Sequence, residues 1–119
     1  MHEMGIVSGV LDVAIRSAQE AGADRVCEVA LRVGEMTEAI PDALQFAFEA
    51  LSEGTICEGA QLTLDMVGPR SMCLDCGGEF DHDRFHRRCP VCESYETVLI
   101  SGRELEIASI EVEFDDDDS

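Results

Sequence analysis

The chain has 119 residues, 45% of them hydrophobic, which is typical of one globular domain or of one domain with a small appendage. It carries 26 acidic residues and eight basic residues, all of them Arg, for a formal net charge of −18 at pH 7. Because so acidic a surface repels phosphate backbones, it argues against nucleic acid as a partner and favours a cationic protein or a metal ion.

The first predicted elements are a helix and a strand. Between Met4 and Glu20, apolar residues recur three or four positions apart, which predicts an amphipathic helix. The spacing then changes to two, which predicts a strand whose inner face carries Cys27, Val29, Leu31 and Val33.

A second helix and two further strands follow. Pro41 and Gly54 suit the first position and the end of a helix, whose apolar side is Ile40, Leu44, Ala47, Phe48 and Leu51. Alternation through Leu62, Leu64 and Met66 predicts a strand. The last strand alternates from Leu105 to Phe114 with a change of phase at Ala108–Ser109, where we expect a β-bulge.

These elements predict an α+β fold with two helices packed on a three-stranded sheet. A cysteine-rich segment, residues 71–102, interrupts this unit before its last strand and has too few large apolar residues for a core of its own. We therefore predict a metal-binding domain at 71–102 inserted into a domain made of 1–70 and 103–114. Residues 115–119, the DDDDS end, are predicted to be a disordered acidic tail.

The inserted segment contains two C-x-x-C pairs, Cys73 with Cys76 and Cys89 with Cys92. Each such turn directs two thiolates at one ion, and two turns complete the closed tetrahedral site of structural zinc. Iron in a rubredoxin-like electron carrier uses the same tetrahedral sulfur, and disulfides are a third possibility. We predict zinc, in a closed site without a vacant position for catalysis.

Other candidate ligands are weaker. His82 and His86 lie between the cysteine pairs and are candidates for secondary metal contacts, although surface positions are the commoner arrangement for such residues. Cys27 and Cys57 are interpreted as ordinary packed or partly exposed thiols.

The cellular setting follows from the hydrophobicity pattern. No apolar run approaches the length of a membrane span, and Glu3 stands where a signal peptide needs basic residues. We therefore expect a cytoplasmic protein without a membrane partner, in a compartment that keeps thiols reduced and so favours metal ligation.

The amino terminus offers a second set of metal ligands. The terminal amine, the backbone nitrogen and imidazole of His2, and the backbone nitrogen of Glu3 are covalently adjacent. Nitrogen ligands in a plane are favoured by Ni(II) and Cu(II). An exposed site of this kind suits a protein that accepts a metal and passes it on.

Together these features resemble the HypA/HybF family of hydrogenase maturation factors, which are nickel metallochaperones. The resemblance covers nearly all of residues 1–114 and rests on MHEM, VALRVGEM, IPDALQFAFE, both C-x-x-C pairs and ELEIASIEVE. Gly5 departs from it, since the family often has Ser there.

The resemblance implies that His2 is the essential nickel ligand, assisted by the amine of Met1 and by the backbone nitrogens of His2 and Glu3. It implies zinc on Cys73, Cys76, Cys89 and Cys92. It also implies a HypB-type GTPase partner and delivery to the large subunit of a [NiFe]-hydrogenase. We separately expect a monomer or weak homodimer, and we expect no enzyme because the sequence has no recognisable nucleophile–base pair or glycine-rich phosphate loop. The alternatives are a zinc-stabilised protein-docking module and a rubredoxin-like electron carrier.

Overall fold

The structure is a computed structural model and describes residues 3–115. Its helices are α1 (Glu3–Glu20) and α2 (Pro41–Ser52), with a single 3₁₀ turn at Glu35–Thr37. Its strands are β1 (Arg25–Gly34), β2 (Gln61–Val67), β3 (Arg70–Cys73), β4 (Glu79–Asp81), β5 (Thr97–Ser101) and β6 (Leu105–Glu113). They form two three-stranded sheets, ordered β2-β1-β6 and β4-β3-β5. The predicted helices and the three-stranded sheet of β1, β2 and β6 are confirmed.

Contacts divide the chain into two compact units. The first comprises residues up to Leu31, Ala39–Leu64 and the chain from Ile107 onward, and the second comprises Arg32–Glu38 and Asp65–Glu106. These units group residues that contact one another and do not show which residues form a nickel-binding or zinc-binding domain. The domain boundaries predicted from the sequence therefore stay a prediction. Of the acidic tail predicted for 115–119, only Asp115 lies within the described residues.

The first unit has an aliphatic core built on the predicted helical stripes. Helix α1 buries Val7, Val10, Leu11, Ala14 and Ala18, and α2 buries Leu44, Ala47, Phe48 and Ser52. Pro41 occupies the first turn of α2, as predicted, where its missing N–H leaves no helical hydrogen bond unmade. The side-chain amide of Gln45 donates to the carbonyl oxygen of Leu62 at 2.7 Å and fastens α2 to the start of β2.

The inner face predicted for β1 is wrong at Cys27. Val26 and Val29 are buried, whereas Cys27 and Glu28 between them are only half-buried. Strict alternation therefore begins at Val29, because two consecutive residues separate the first two buried positions. The Cys27 thiol instead donates to the carboxylate of Glu113 at 3.6 Å, and burial together with this neighbouring anion raises its pKa.

The ends of predicted apolar faces also differ. Ile40 is 59% exposed because it precedes α2 in an extended conformation and is not part of the helix. In β6, Ile107, Ile110 and Val112 are half-buried while Ala108 and Ser109 are exposed, which confirms the predicted change of phase. Leu105 and Phe114, at the two ends of this pattern, are exposed.

The second unit contains a sheet that the sequence analysis missed. Strand β3 pairs antiparallel with β4 and β5, and Ser71 lies opposite Phe80 and Leu99. Phe80 is 8% exposed and packs in a small buried cluster with Cys73 and Cys89. This cluster contains one large apolar side chain, and its other two members are predicted zinc ligands, which agrees with the expectation of too few large apolar residues for a core of its own.

Two glycines allow close backbone contact within the second unit. The N–H of Gly34 donates to the carbonyl of Glu104 at 2.6 Å, and the N–H of Met36 donates to the carbonyl of Gly102 at 2.7 Å. A Cβ on Gly34 would lie 2.1 Å from the carbonyl carbon of Gly102. Gly102 itself has φ +118°, which a side chain would strain. Only glycine fits this contact.

Among the described residues, neither helix has the length and apolarity required to cross a membrane.

Candidate metal centre

Four cysteine sulfurs converge in the second unit. The Sγ atoms of Cys73, Cys76, Cys89 and Cys92 all lie within 4.8 Å of one another. The shorter separations are 3.4 Å between Cys73 and Cys92 and 3.7 Å between Cys76 and Cys89. Four thiolates at about 2.3 Å from a tetrahedral zinc ion would stand about 3.8 Å apart, so this set fits zinc.

Both C-x-x-C turns are built with the same hydrogen bonds. In the first turn, the N–H of Gly77 donates to the carbonyl of Cys73 at 2.9 Å, and the N–H of Cys73 donates to the carbonyl of Gly78 at 2.8 Å. In the second turn, the N–H of Glu93 donates to the carbonyl of Cys89, and the N–H of Cys89 donates to the carbonyl of Ser94, each at 2.9 Å.

The fourth residue after the first cysteine of each turn has a left-handed backbone. Gly77 has φ +77° and Glu93 has φ +64°. A glycine at this position is a sequence signal for a turn, whereas the glutamate that takes its place in the second turn carries no such signal. The side chain and carbonyl of Glu93 both accept from the guanidinium of Arg88, at 2.5 and 3.0 Å, and these bonds hold it in place.

The centre has a buried half and an exposed half. Cys73 and Cys89 are 0% and 1% exposed, whereas Cys76 and Cys92 face solvent. Each turn therefore contributes one sulfur to the buried cluster around Phe80 and one to the surface. This arrangement couples the metal directly to the core of the second unit.

Three of the thiols in this centre, Cys76, Cys89 and Cys92, have shifted pKa values. A hydrogen bond from the backbone N–H of Cys92 lowers the pKa of Cys89 to about 6, although burial acts in the opposite direction. The backbone N–H of Ser94 lowers the pKa of Cys92, but the nearby Cys73 sulfur and burial outweigh it and raise the value to about 12. The pKa of Cys76 is lowered by the N–H of Gly78 yet ends raised, mainly through the Cys89 sulfur. Of these three thiols, Cys89 is the one with a pKa below the usual value.

The two histidines have hydrogen-bond partners other than the sulfurs. One ring nitrogen of His82 lies 2.7 Å from the Ser71 hydroxyl, and the other lies 2.5 Å from the carbonyl oxygen of Asp83. Nδ1 of His86 lies 2.7 Å from the Asp83 carboxylate, and this contact, together with backbone donors, lowers the pKa of Asp83. Within the described chain, the group of sulfurs that satisfies one ion includes neither ring.

Of the predicted nickel site, Glu3 alone lies within the described residues. Met1 and His2 lie outside the described residues. Glu3 opens α1, and its carboxylate accepts a hydrogen bond from the N–H of Ile40 at 3.0 Å.

Residues that the sequence analysis missed support the sulfur centre. Ser94 donates to the carboxylate of Asp75 and accepts from the N–H of Glu96, and so ties the second turn to the first. Phe80 packs under the sulfurs. The alternation Glu79-Phe80-Asp81 was a signal for a strand, but three residues are too few to recognise one by periodicity.

The fold is α+β, and two matching turns hold a closed four-sulfur centre. These features define a metal-binding protein. The centre stabilises a module and offers no open coordination position. Residues 1–112 match the family model described as "Hydrogenase/urease nickel incorporation, metallochaperone, hypA". The chain belongs to this HypA family, as the resemblance predicted. Nickel is the metal that the family transports, and the four-cysteine centre suits structural zinc.

Similar proteins match this chain over almost its whole length. The hydrogenase maturation factor HypA of Geobacter metallireducens is 39% identical over 113 residues, covering 95% of this chain and 100% of that protein. The protein of the same name from Methanocaldococcus jannaschii is 37% identical over 124 residues, covering 98% and 100%. The solution structure of the Ni metallochaperone HypA from Helicobacter pylori, at 24% identity, aligns with TM-score 0.69 over 97% of this chain and 100% of that one. This last likeness supports the fold.

Proposed function

We propose that the chain binds Ni(II) at its amino terminus and delivers it during maturation of a [NiFe]-hydrogenase. His2 is the essential ligand, and the amine of Met1 and the backbone nitrogens of His2 and Glu3 complete the set. Membership of a nickel-incorporating family across residues 1–112, the amino terminus included, is the observation that carries this proposal.

The chemistry of the proposed nickel site suits transfer. Amide nitrogens bind nickel only after losing their protons, so acid favours release and partner ligands can displace them one at a time. Consecutive ligands on one short segment need no assembly by the fold. The Glu3 carboxylate is engaged with Ile40, so Glu3 contributes its backbone nitrogen in this proposal.

The sulfur centre has a structural role in this proposal. Cys73, Cys76, Cys89 and Cys92 hold structural zinc, which fixes the two turns and β3 to β5. His82 and His86 remain candidates for secondary metal contacts through a change of partner at Ser71 or Asp83. A closed site without a vacant position supports a role as a metal carrier and not as an enzyme.

A HypB-type GTPase is the proposed partner in delivery, and the hydrogenase large subunit is the proposed recipient. The net charge of −18 supports protein partners with basic surfaces. We place the protein in the cytoplasm as a monomer or weak homodimer.

Nickel titration by calorimetry, on untagged protein with a native amino terminus, tests the nickel site. His2→Ala should lose nickel binding and keep one zinc, while the matched control His86→Ala should keep both. Equal nickel binding by the His2 variant and the parent protein would contradict the proposal and move the site elsewhere. Bound iron with a reversible one-electron couple would instead support the electron-carrier alternative.

A further inference from the structure

An open groove lies between α2 and the start of β2 in the first unit. It has a volume of about 710 Å³, and its walls include Phe46, Phe48 and Leu62. The Gln45 bond to Leu62 fixes the two walls relative to each other, so the groove is formed without a ligand. A second apolar recess, lined by Met4, Ile40 and Phe46, adjoins it across the same helix.

Phe46 is shared by both recesses and is 72% exposed. It lies outside the buried stripe of α2, so it contributes little to the core. Met4 and Ile40 are 50% and 59% exposed. Three large apolar side chains on one face, around a preformed groove, are typical of a protein-interaction surface.

The charged side chains that line the groove are all acidic. The ionisable residues that line it are Asp42, Glu49, Glu53 and Glu58. Every charged residue from 33 to 69 in the sequence is an Asp or Glu. The guanidinium of Arg25 lies beside Gly59, 3.9 Å from where a Cβ on that glycine would lie, and is not among the groove-lining residues. An occupant must therefore carry positive charge beside its apolar residues.

We propose that the α2 groove docks a basic amphipathic segment of a partner protein, with an apolar side chain against Phe46 and Lys or Arg side chains toward Glu49, Glu53 and Glu58. Seating an apolar residue removes the exposed ring from water, and the carboxylates select the cationic partner and speed its approach. The face that begins at Met4 and Ile40 extends this surface toward the start of α1.

A peptide titration followed by NMR tests the proposal. The probe is a synthetic 14-residue helical peptide of Leu and Lys, with Leu at helical spacing, and its counterpart has Glu in place of every Lys. Shift changes confined to α2, to residues 58–62 and to the adjoining Met4 and Ile40, with the Lys peptide alone, are expected. Shift changes spread over all acidic surfaces, or binding of the Glu peptide, would overturn the proposal.

Variants separate the apolar and charged contributions. Phe46→Ala should weaken the Lys peptide at least about tenfold, as expected for an interface anchor, whereas Phe114→Ala, an exposed residue outside the groove, should not. Glu49→Lys with Glu53→Lys should weaken it more than Glu20→Lys with Glu111→Lys, which reverses equal charge elsewhere. The proposal would be overturned if Phe46→Ala and Phe114→Ala weakened binding equally, or if the two double charge reversals did.

Sedimentation of the protein alone provides a further outcome. A dimer that Phe46→Ala dissolves would assign the groove to a second copy of the chain and overturn the proposed partner. These measurements involve no nickel, so their outcome is independent of the nickel site proposed above.

Discussion

The carboxylate of Glu3, in the first turn of α1, accepts a hydrogen bond of 3.0 Å from the N–H of Ile40, the residue that precedes α2. The starts of both helices are thereby joined. Ile40 has no side-chain group able to cap its own helix, and its backbone N–H is bound by a residue 37 positions earlier in the chain. The residue that follows His2, the proposed nickel ligand, is thereby anchored to the fold.

Glu3→Ala should lower the free energy of unfolding by about 1 kcal/mol, because it removes the acceptor from the Ile40 N–H. Glu3→Gln keeps an acceptor oxygen and should lower it less. Nickel stoichiometry should survive in the Gln variant, because the proposed ligand is the backbone nitrogen. Urea unfolding and nickel titration measure the two effects. A Gln variant as unstable as the Ala variant would show that the hydrogen bond is not the cause.

Cys76→Ala should abolish zinc binding and unfold the second unit. Zinc sites of this kind supply much of the folding free energy of the small modules that contain them. Zinc analysis and hydrogen exchange of the amides in β3 and β5 are the measurements. Cys27→Ser is the matched control and should retain one zinc, since Cys27 contacts Glu113 and not the sulfur centre. Slow exchange in a zinc-free Cys76 variant would mean that Phe80 and the sheet hold the unit without metal.

Zinc affinity should rise with pH between about 6 and 9. The pKa of Cys92 is raised to about 12, and the pKa of Cys76 is also raised, so both residues are thiols that must lose a proton before they bind zinc. Cys89, with a pKa of about 6, is already ionised at pH 7. Calorimetry at pH 7 in buffers of different ionisation enthalpy should therefore show release of at least about two protons per zinc. Affinity that is independent of pH would exclude this protonation pattern.

Gly34→Ala should destabilise the protein by at least about 3 kcal/mol, because the added Cβ would overlap the Gly102 backbone at 2.1 Å. Thermal unfolding is the measurement. Gly9→Ala, on the exposed side of α1 with no atom within 4 Å of the new Cβ, should instead stabilise by about 0.5–1 kcal/mol. A Gly34→Ala variant as stable as the parent would require the contact between Gly34 and Gly102 to open without cost.

Local patterns accounted for much of the fold. The stripe from Val7 to Ala18 and the first turn at Pro41 follow from helical spacing and from the chemistry of proline, so both helices were predictable. The two C-x-x-C pairs predicted convergence of four sulfurs because their ligands are close in sequence. The adjacent nitrogens of the amino terminus suggested a site for Ni(II) or Cu(II), and the resemblance to a known family implied that His2 is the essential nickel ligand.

Features that depend on distant residues were not predictable. Cys27 was placed on the inner face because alternation was extended by one residue, whereas the pairing of its thiol with Glu113 is set by a strand far along the chain. Strands β3 to β5 are three to five residues long, too short for periodicity to identify. The approach of Gly34 to Gly102 and the left-handed backbone of Glu93 arise from tertiary contacts.

The order of strands in the first sheet has a consequence for biosynthesis. β1 lies early in the chain, but its neighbour β6 is the last described strand. The N–H of Asp24, just before β1, donates to the carbonyl of Glu113 at the end of β6. On the ribosome, β1 must therefore wait for nearly all of the chain, and contacts so distant in sequence form slowly. The sheet of β3, β4 and β5 needs only residues that emerge earlier. We therefore expect that the cysteine turns and their sheet can form before β1 gains its last partner, β6.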